Sequence, residues 1–346
     1  MTEVFESYAP ARVNLIGEHT DYNGGMVLPA ALGIGIEVTL SPRSDSVVAV
    51  ASDQYCDPAI RDLADDAVDE WADAAVGAVR EANALGFLKG GANIDIVSDM
   101  PTGSGLSSSA ALIVAILKAA RAFAKSEVSG IQVAIAARRV ENDYIGVPCG
   151  IMDQMAVALA KPGTAMALDT STMDWEIIAL PDQCEFVVLH SGITRKLSDG
   201  RYAERKEECD RAKAYFGTEE LCLLEQEAWE QADLPPQVIR RMRHLTSEQQ
   251  RVRASIAALH ANDTVQLGRL MSESHASMRD DFEMSLPEID ALVATSLSSG
   301  ALGARLTGGG FGGCIVACVK RDIREEWLDK VLAAHPNARF IDAASG

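Results

Sequence analysis

The order of apolar and polar positions predicts a chain that mixes strands and helices from its first residues. Short runs with alternating or β-branched side chains indicate strands, and longer runs with a repeating apolar face indicate helices. The predicted strands cover 12–16, 33–40, 46–51, 92–97, 164–168, 175–180, 185–190 and 314–319. The predicted helices cover 63–85, 112–118, 131–144 and 199–215, begin again near 151, and fill much of the chain as far as 295.

Length and charge limit the class of protein. A chain of 346 residues with 48% hydrophobic content can bury a large core, and its length favours two domains. We place the boundary near residue 175, which gives domains 1–175 and 176–346. Fifty acidic residues against thirty-one basic ones give a net charge of -19, which opposes binding to nucleic acid and to anionic membranes. We expect neither as a partner.

Cysteine usage and the N-terminus indicate a reducing compartment. The seven cysteines are scattered without a Cys-x-x-Cys pair, and the six histidines lack metal-ligand spacing. Neither a disulfide framework nor a transition-metal cofactor is therefore expected. The first six residues lack the basic start and apolar core of a signal peptide, and no apolar run approaches about 18 residues. These features predict a cytoplasmic protein.

A glycine- and serine-rich segment leads directly into an apolar helical run. Residues 101–111 read Pro-Thr-Gly-Ser-Gly-Leu-Ser-Ser-Ser-Ala-Ala. Small residues let backbone N–H groups approach an anion, and a helix N-terminus adds about half a positive charge. The alternative is an ordinary serine N-cap. The segment lacks the lysine of a Walker A loop, and the chain lacks the His-Arg-Asp and Asp-Phe-Gly motifs of protein kinases. It therefore suggests another design for phosphoryl transfer.

A second segment, 12–25, gathers many hydrogen-bonding side chains just after a predicted strand. It includes Glu18, His19, Asp21 and Asn23. Such a density of donors and acceptors suits a sugar, whose hydroxyl groups each need a partner in a small pocket. The alternative is a polar turn without a ligand.

Two further segments carry candidate chemistry. Residues 150–154 read Gly-Ile-Met-Asp-Gln and place Asp153 at a predicted helix start, where a helix cap is the alternative. Residues 308–313 formally satisfy Gly-x-Gly-x-x-Gly, but a strand rather than a helix follows, which argues against a dinucleotide site. We interpret this segment as a turn that brings backbone close to a ligand held by other elements.

In this order and spacing, the four segments resemble the GHMP small-molecule kinases and, within them, the galactose kinases. Residues 17–23, Gly-Glu-His-Thr-Asp-Tyr-Asn, and residues 273–283 carry the second resemblance. It implies an α+β fold with an N-terminal ribosomal-protein-S5-like domain and a C-terminal ferredoxin-like α/β-sandwich domain. It also implies phosphorylation of the C1 hydroxyl of D-galactose, with ATP as co-substrate and Mg²⁺ as cofactor.

The resemblance further implies a role for individual residues. Asp153 matches the catalytic aspartate, and Arg12 matches the arginine beside it. The matches to sugar-binding positions are Glu18, His19, Thr20, Asp21 and Tyr202. The matches to the ATP phosphate loop are Gly103, Ser104, Gly105, Leu106, Ser107, Ser108 and Ser109. Ser109 and Glu141 match the Mg²⁺-binding residues.

Two alternatives to galactose phosphorylation stay open at this point. One is a C1 kinase for a related sugar such as arabinose, galacturonate or N-acetylgalactosamine. The other is a kinase-inactive galactose sensor that resembles these enzymes but carries a deletion in the serine loop, which is complete here at 105–111. We expect a monomer or a weak homodimer. The sequence does not identify the residues that hold the adenine base.

Overall fold

The computed structural model describes residues 3–101, 103, 105–193 and 200–346. These residues divide into two compact units that are not continuous in sequence. The first unit comprises Met1–Arg12, Leu32–Thr102 and Leu106–Ala160, and the second comprises Val13–Ala31, Gly103–Gly105 and Lys161–Gly346. The chain thus passes from one unit to the other several times. The domain boundary near residue 175 stays a prediction.

Twelve strands and ten α-helices are formed by the described residues. The strands are β1 (Phe5–Asn14), β2 (Met26–Val27), β3 (Pro29–Pro42), β4 (Val47–Ser52), β5 (Tyr55–Asp62), β6 (Ala92–Ser98), β7 (Thr164–Asp169), β8 (Trp175–Ala179), β9 (Cys184–His190), β10 (Gly303–Thr307), β11 (Cys314–Lys320) and β12 (Arg339–Ser345). The helices are α1 (Asp73–Ala84), α2 (Ser108–Ala124), α3 (Gly130–Arg139), α4 (Met152–Leu159), α5 (Arg201–Phe216), α6 (Gln226–Glu230), α7 (Pro236–His260), α8 (Thr264–Asp280), α9 (Pro287–Ser298) and α10 (Arg324–Ala334).

The first unit packs helices beside a mixed sheet. β3 runs antiparallel to β6, β6 runs parallel to β4, and β5 completes the ladder antiparallel to β4. Helix α2 packs with α1, α3 and α4. Its run from Ala110 to Leu117 is buried on every side, because the neighbouring helices surround it. The helix that follows the serine loop is therefore held rigidly by its core contacts.

The second unit contains an antiparallel sheet in the order β10-β11-β9-β12. Its central strands β9 and β11 are almost entirely buried, and helices α8, α9 and α10 pack against β10 or β11. The same unit holds β7 between β2 and β8. The glycine-rich segment after β10 and the 13–31 segment thus belong to one unit.

The helix predicted over 63–85 is wrong in its first half. Helix α1 begins at Asp73, because side-chain bonds hold the preceding segment in another conformation. The Asp73 carboxylate accepts from the backbone N–H groups of Val68 and Glu70, each at 2.9 Å, and Arg61 Nη2 donates to the Asp66 carbonyl at 2.7 Å. Such local side-chain bonds compete with the helical ladder.

Strand β5 was not predicted from the sequence. It contains Pro58, which cannot donate a ladder hydrogen bond and argues against a central strand. β5 lies at the end of the strand order, where proline is tolerated. Because β5 was not predicted, the cavity that Tyr55 of β5 lines could not be predicted either.

Helices long and apolar enough to cross a membrane are not found among the described residues.

Candidate functional site

Asp153 and Arg12 form a two-pronged ion pair in the first unit. Asp153 lies in the first turn of α4, and Arg12 lies near the end of β1. Arg12 Nε donates to Asp153 Oδ1 at 2.7 Å, and Arg12 Nη2 donates to Oδ2 at 2.8 Å. The arginine side chain is 6% exposed and the aspartate side chain 30% exposed. The guanidinium thus fixes the plane of a carboxylate that stays accessible from one side.

The hydroxyl of Ser107 is a third member of this group. It donates to Asp153 Oδ2 in a short hydrogen bond. Ser107 has a left-handed backbone with φ +64°, immediately before α2 begins at Ser108. Such a φ is uncommon for a non-glycine residue and is found where surrounding structure enforces it. The sequence assigned Ser107 to a phosphate loop, and the structure also brings its side chain to the candidate base.

The predicted phosphate loop contains two further residues with a left-handed backbone. Gly103 and Gly105 have φ angles of +71° and +74°, which glycine adopts at little cost. Leu106 is buried, and its carbonyl accepts from the Arg12 backbone N–H at 3.4 Å. Ser108 and Ser109 open helix α2, which begins four residues before the helix predicted over 112–118. Ser104 lies outside the described residues.

Glu141 lies close to the Asp153 group, in a π-helical turn over Val140–Ile145. Its carboxylate accepts a short hydrogen bond from Gln154 Nε2 and also bonds the Ser109 hydroxyl. Cys149 Sγ lies 3.8 Å from Glu141 Oε2. Burial raises the pKa of Glu141, and the negative charge of Asp153 raises it further, while the bonds from Ser109 and Gln154 lower it. A cation beside this carboxylate would relieve both unfavourable effects.

The donor set at Glu141 fits a magnesium ion. Mg²⁺ prefers oxygen ligands and is usually held by one or two carboxylates together with substrate phosphates and water. Glu141 and Ser109 supply a carboxylate and a hydroxyl that lie in contact. Within the described ranges, no cluster of three or more His, Cys, Asp or Glu side chains is arranged to hold a metal. A magnesium ion held by these two groups would take its remaining ligands from water or from a substrate phosphate.

Gln154 is a functional candidate to which the sequence assigned no role. It is fully buried, and its amide contacts both Glu141 and Cys149. We expect Gln154→Met to raise the half-saturating Mg²⁺ concentration about tenfold, because Glu141, the carboxylate predicted to bind Mg²⁺, loses the donor that orients it. Activity measured against free Mg²⁺, together with Mn²⁺ binding by electron paramagnetic resonance, checks this. Gln231→Met, at an exposed position, is the control, and equal metal dependence in both variants would contradict the role.

A cavity of about 530 Å³ lies in the first unit beside the serine loop. Ser108 and Ser109 line it together with apolar side chains from β3, β6 and α2. Tyr55 and Trp71 also line it and stack on each other, with ring centroids 4.4 Å apart and planes 9° apart. Its size and mostly apolar lining suit a small organic ligand.

Glu18, in the second unit, is 2% exposed and bonded to the protein through both carboxylate oxygens. Oε1 accepts from the Gly308 backbone N–H at 2.9 Å, and Oε2 accepts from Asn14 Nδ2 at 2.9 Å. Arg305 also forms a short ion pair with Oε2. Burial raises the pKa of Glu18, and the charge of Arg305 opposes that rise. Glu18 thus joins the 13–31 segment to the glycine-rich turn, and its contact with sugar stays a prediction.

His19 lies at the centre of an aromatic group. Its Nδ1 is 2.6 Å from Tyr22 Oη, and its ring centroid lies 4.5 Å from that of Phe282 and 5.3 Å from that of Tyr202. His19 has a left-handed φ of +61°, which turns the chain sharply after Glu18. The structure thus brings together His19 and Tyr202, two predicted sugar-binding residues. It adds Phe282, to which the sequence assigned no role.

Thr20 and Asp21 occupy different environments in the same turn. Thr20 is fully buried, and its Oγ1 lies 2.8 Å from both the Gly17 and the Met26 carbonyl oxygens. Asp21 is half-buried. The Thr20 hydroxyl therefore closes the turn from inside, while its predicted part in sugar binding, like that of Asp21, stays a prediction.

His244 of α7 supports the turn from beneath. Its Nε2 lies 3.2 Å from the Glu18 carbonyl oxygen, and its Nδ1 lies 3.0 Å from Ser277 Oγ. Burial lowers the pKa of His244 to about 4, and burial also lowers that of His275 to about 4. Folding therefore favours the neutral form of each ring. The stability that depends on this is fully present above the ordinary pKa of about 6.5, because the ring is then neutral in the unfolded chain too. It is lost as the pH falls toward about 4, because the unfolded chain then takes up a proton that the folded protein does not.

We expect the free energy of unfolding to fall by about 2 kcal/mol for each of these histidines between pH 7.5 and pH 5. Urea denaturation at the two pH values measures the fall. His244→Asn should have about half of the histidine-dependent loss, because one buried imidazole no longer has to be protonated. The exposed His260→Gln is the control. A fall in His244→Asn as large as in the parent would contradict the explanation.

Three family models match this chain. Residues 72–161 match the GHMP kinases N terminal domain, residues 255–337 match the GHMP kinases C terminal domain, and residues 2–42 match the galactokinase galactose-binding signature. The matches define the class of the protein as a small-molecule kinase with the two-domain GHMP fold, as the sequence indicated.

Solved structures identify the branch. The chain is 31% identical to Lactococcus lactis galactokinase, solved in complex with galactose, with a TM-score of 0.93 over 99% of this chain and 94% of the other. Methanococcus jannaschii mevalonate kinase shares the fold at 18% identity, with a TM-score of 0.73 over 100% of this chain and 99% of the other. A D-glycero-D-manno-heptose 1-phosphate kinase from Bacteroides thetaiotaomicron is 17% identical, with a TM-score of 0.63 over 98% and 97%. The chain belongs to the galactokinase family of the GHMP kinases.

Proposed function

We propose that this protein transfers the γ-phosphoryl group of ATP to the C1 hydroxyl of D-galactose, giving galactose 1-phosphate and ADP. The match of residues 2–42 to the galactokinase galactose-binding signature carries the proposal. The galactose complex of the Lactococcus lactis enzyme supports it. The reaction needs a group that accepts the hydroxyl proton, a cradle for phosphate and a pocket for the sugar, and the chain offers a candidate for each.

Asp153 is the candidate proton acceptor. Its carboxylate is held in one plane by Arg12 and retains an exposed edge from which a hydroxyl could approach. In a loose phosphoryl-transfer transition state the proton moves late, so that orientation of the nucleophile matters as much as its deprotonation. The C1 oxygen forms the new bond to phosphorus, the bond from the γ-phosphorus to the bridging oxygen breaks, and Asp153 takes the proton.

The phosphates are assigned to the serine loop. Backbone N–H groups at the start of α2 and the two left-handed glycines suit a bound anion. Ser109 and Glu141 would hold Mg²⁺, which when bound neutralises charge on the phosphate oxygens. Gln154 keeps the Glu141 carboxylate in place. The cavity lined by Tyr55 and Trp71 is our candidate for the adenine base, since the loop serines line it too.

The sugar is assigned to the group around His19. Its proposed contacts are Glu18, His19, Thr20, Asp21 and Tyr202. We further propose a cytoplasmic protein that acts as a monomer or weak homodimer, with a functional boundary near residue 175.

A coupled ADP-release assay with Mg·ATP tests the activity against related sugars. The panel contains galactose, 2-deoxygalactose, galacturonate, N-acetylgalactosamine, arabinose and glucose. We expect strong turnover of galactose and little of glucose. Turnover of another sugar without galactose would replace the substrate, and binding of galactose without turnover of any sugar would favour a sensor.

A further inference from the structure

We propose that Arg305 and Glu248 are positioning residues for sugar recognition, which hold the signature turn around Glu18 against the glycine-rich turn around Gly308. The assignment to sugar rests on the proposed function. The anchoring itself rests on contacts within the second unit. Both residues lie outside the four segments that resemble the GHMP kinases, and neither is exposed to solvent.

Arg305, in β10, ties its own strand to the signature segment. Its Nη2 forms the short ion pair with Glu18 Oε2, and its Nη1 donates to the Asn14 carbonyl at 3.4 Å. The neighbouring Thr307 hydroxyl donates to the same carbonyl at 2.9 Å. Because Glu18 Oε1 accepts from the Gly308 N–H, the strand end holds the signature segment by side-chain and backbone contacts together.

Glu248, in α7, holds the opposite side of the same turn. Its Oε1 accepts from the Gly17 backbone N–H at 2.9 Å and from the Ser274 hydroxyl at 2.6 Å. Its Oε2 accepts from Arg251 Nε at 2.8 Å. Although burial raises the pKa of Glu248, the charges of Arg251 and Arg305 lower it to about 2. The carboxylate is thus ionised and accepts hydrogen bonds from the signature turn, from α8 and from α7 itself.

Arg305 also separates two buried carboxylates. Its Nη2 contacts Glu18 and lies 3.6 Å from Glu248 Oε1. The negative charge of Glu248 is among the causes that raise the pKa of Glu18. Without the guanidinium, the two carboxylates would face each other in a region that excludes water, and the Glu18 side chain would leave its position or take up a proton. His19, the predicted sugar ligand that follows Glu18 in the chain, would then no longer be held in place by the contacts of Glu18.

The experiment compares Arg305→Met, Arg305→Lys and Glu248→Gln with the surface variant Arg321→Met. Galactose and ATP affinities are measured separately by calorimetry on the full-length chain. Hydrogen exchange followed by mass spectrometry reports on segments 13–19 and 303–310. Arg321 is the matched control, because it is an exposed arginine whose Nε lies 3.6 Å from Glu185 Oε1.

We expect Arg305→Met to weaken galactose binding at least about tenfold with ATP affinity little changed, since a charge-assisted contact is lost. Arg305→Lys should recover part of that loss, because it restores the charge but not the fork. Exchange should accelerate in both segments in Arg305→Met and in 13–19 in Glu248→Gln. If Arg305→Met does not fold, Arg305→Lys and Glu248→Gln decide by the same criteria.

Two results would overturn the proposal: unchanged galactose affinity in a folded Arg305 variant, or unchanged exchange in both segments. An equal loss of galactose and ATP affinity would also overturn it, because that indicates general damage to the fold. If the parent protein binds no galactose, the proposed function fails by itself. The exchange measurement then still decides whether Arg305 and Glu248 hold the two turns together.

Discussion

Asp153→Asn should lower kcat by about a thousandfold, within the range that a positioned general base usually contributes. The amide cannot accept the hydroxyl proton. Its NH₂ group would also face one of the two donors of Arg12, which now meet the two carboxylate oxygens at 2.7 and 2.8 Å. Binding of galactose and ATP should persist, because the residues proposed to hold each ligand are unchanged. Steady-state kinetics with calorimetric binding of both ligands measures the effect.

Asp143→Asn is the control for Asp153→Asn. Asp143 lies in the nearby π-helical turn, and its side chain is exposed. This variant should keep parental turnover, which shows that loss of a negative charge in this region is not itself damaging. Near-parental kcat in Asp153→Asn with both ligands bound would contradict the role of this carboxylate in the reaction.

Arg12→Lys should lower kcat by about a hundredfold while the protein remains folded. A lysine ammonium keeps the positive charge but is a point donor, so it cannot make both parallel bonds to Asp153. The carboxylate would rotate away from the orientation that Arg12 and Ser107 together impose. A misplacement of about 1 Å at a reacting group can cost about 10²-fold in turnover.

The kinetic split is the decisive measurement for Arg12→Lys. We expect kcat to fall more than the KM of either substrate rises, because orientation of the carboxylate matters most in the transition state. Arg139→Lys is the matched control, since Arg139 pairs with Glu81 and is 45% exposed. If both variants kept the parental kcat, the two-pronged contact would be irrelevant to the reaction.

Structural features that depend on neighbouring residues in the sequence were the most predictable. The helix predicted over 112–118 follows from a run of helix formers after the serine-rich segment, although α2 already begins at Ser108. The helix start before Asp153 follows from the glycine and proline that precede it. Their chemical roles required resemblance to a family, because a helix-start aspartate is by itself usually a cap.

Residues that act through distant partners could not be predicted. The left-handed conformation of Ser107 is imposed by tertiary contacts, so its bond to Asp153 has no local signal. Arg305 looks like an ordinary residue of a short strand until Glu18 and Glu248 are placed around it. The Tyr55–Trp71 stack depends on the edge strand β5, whose proline argued against a strand.

The hydrogen bond between Glu18 and Gly308 joins positions 290 residues apart. During synthesis from the N-terminus, the signature segment is therefore made first, but Gly308 can bind it only after β10 has been made. Contacts this distant close large loops and slow folding. A nascent chain that has not reached β10 would carry the proposed sugar-binding residues without the partners that order them. The proposed recognition of the sugar thus depends on residues made after the signature segment as much as on the signature segment itself.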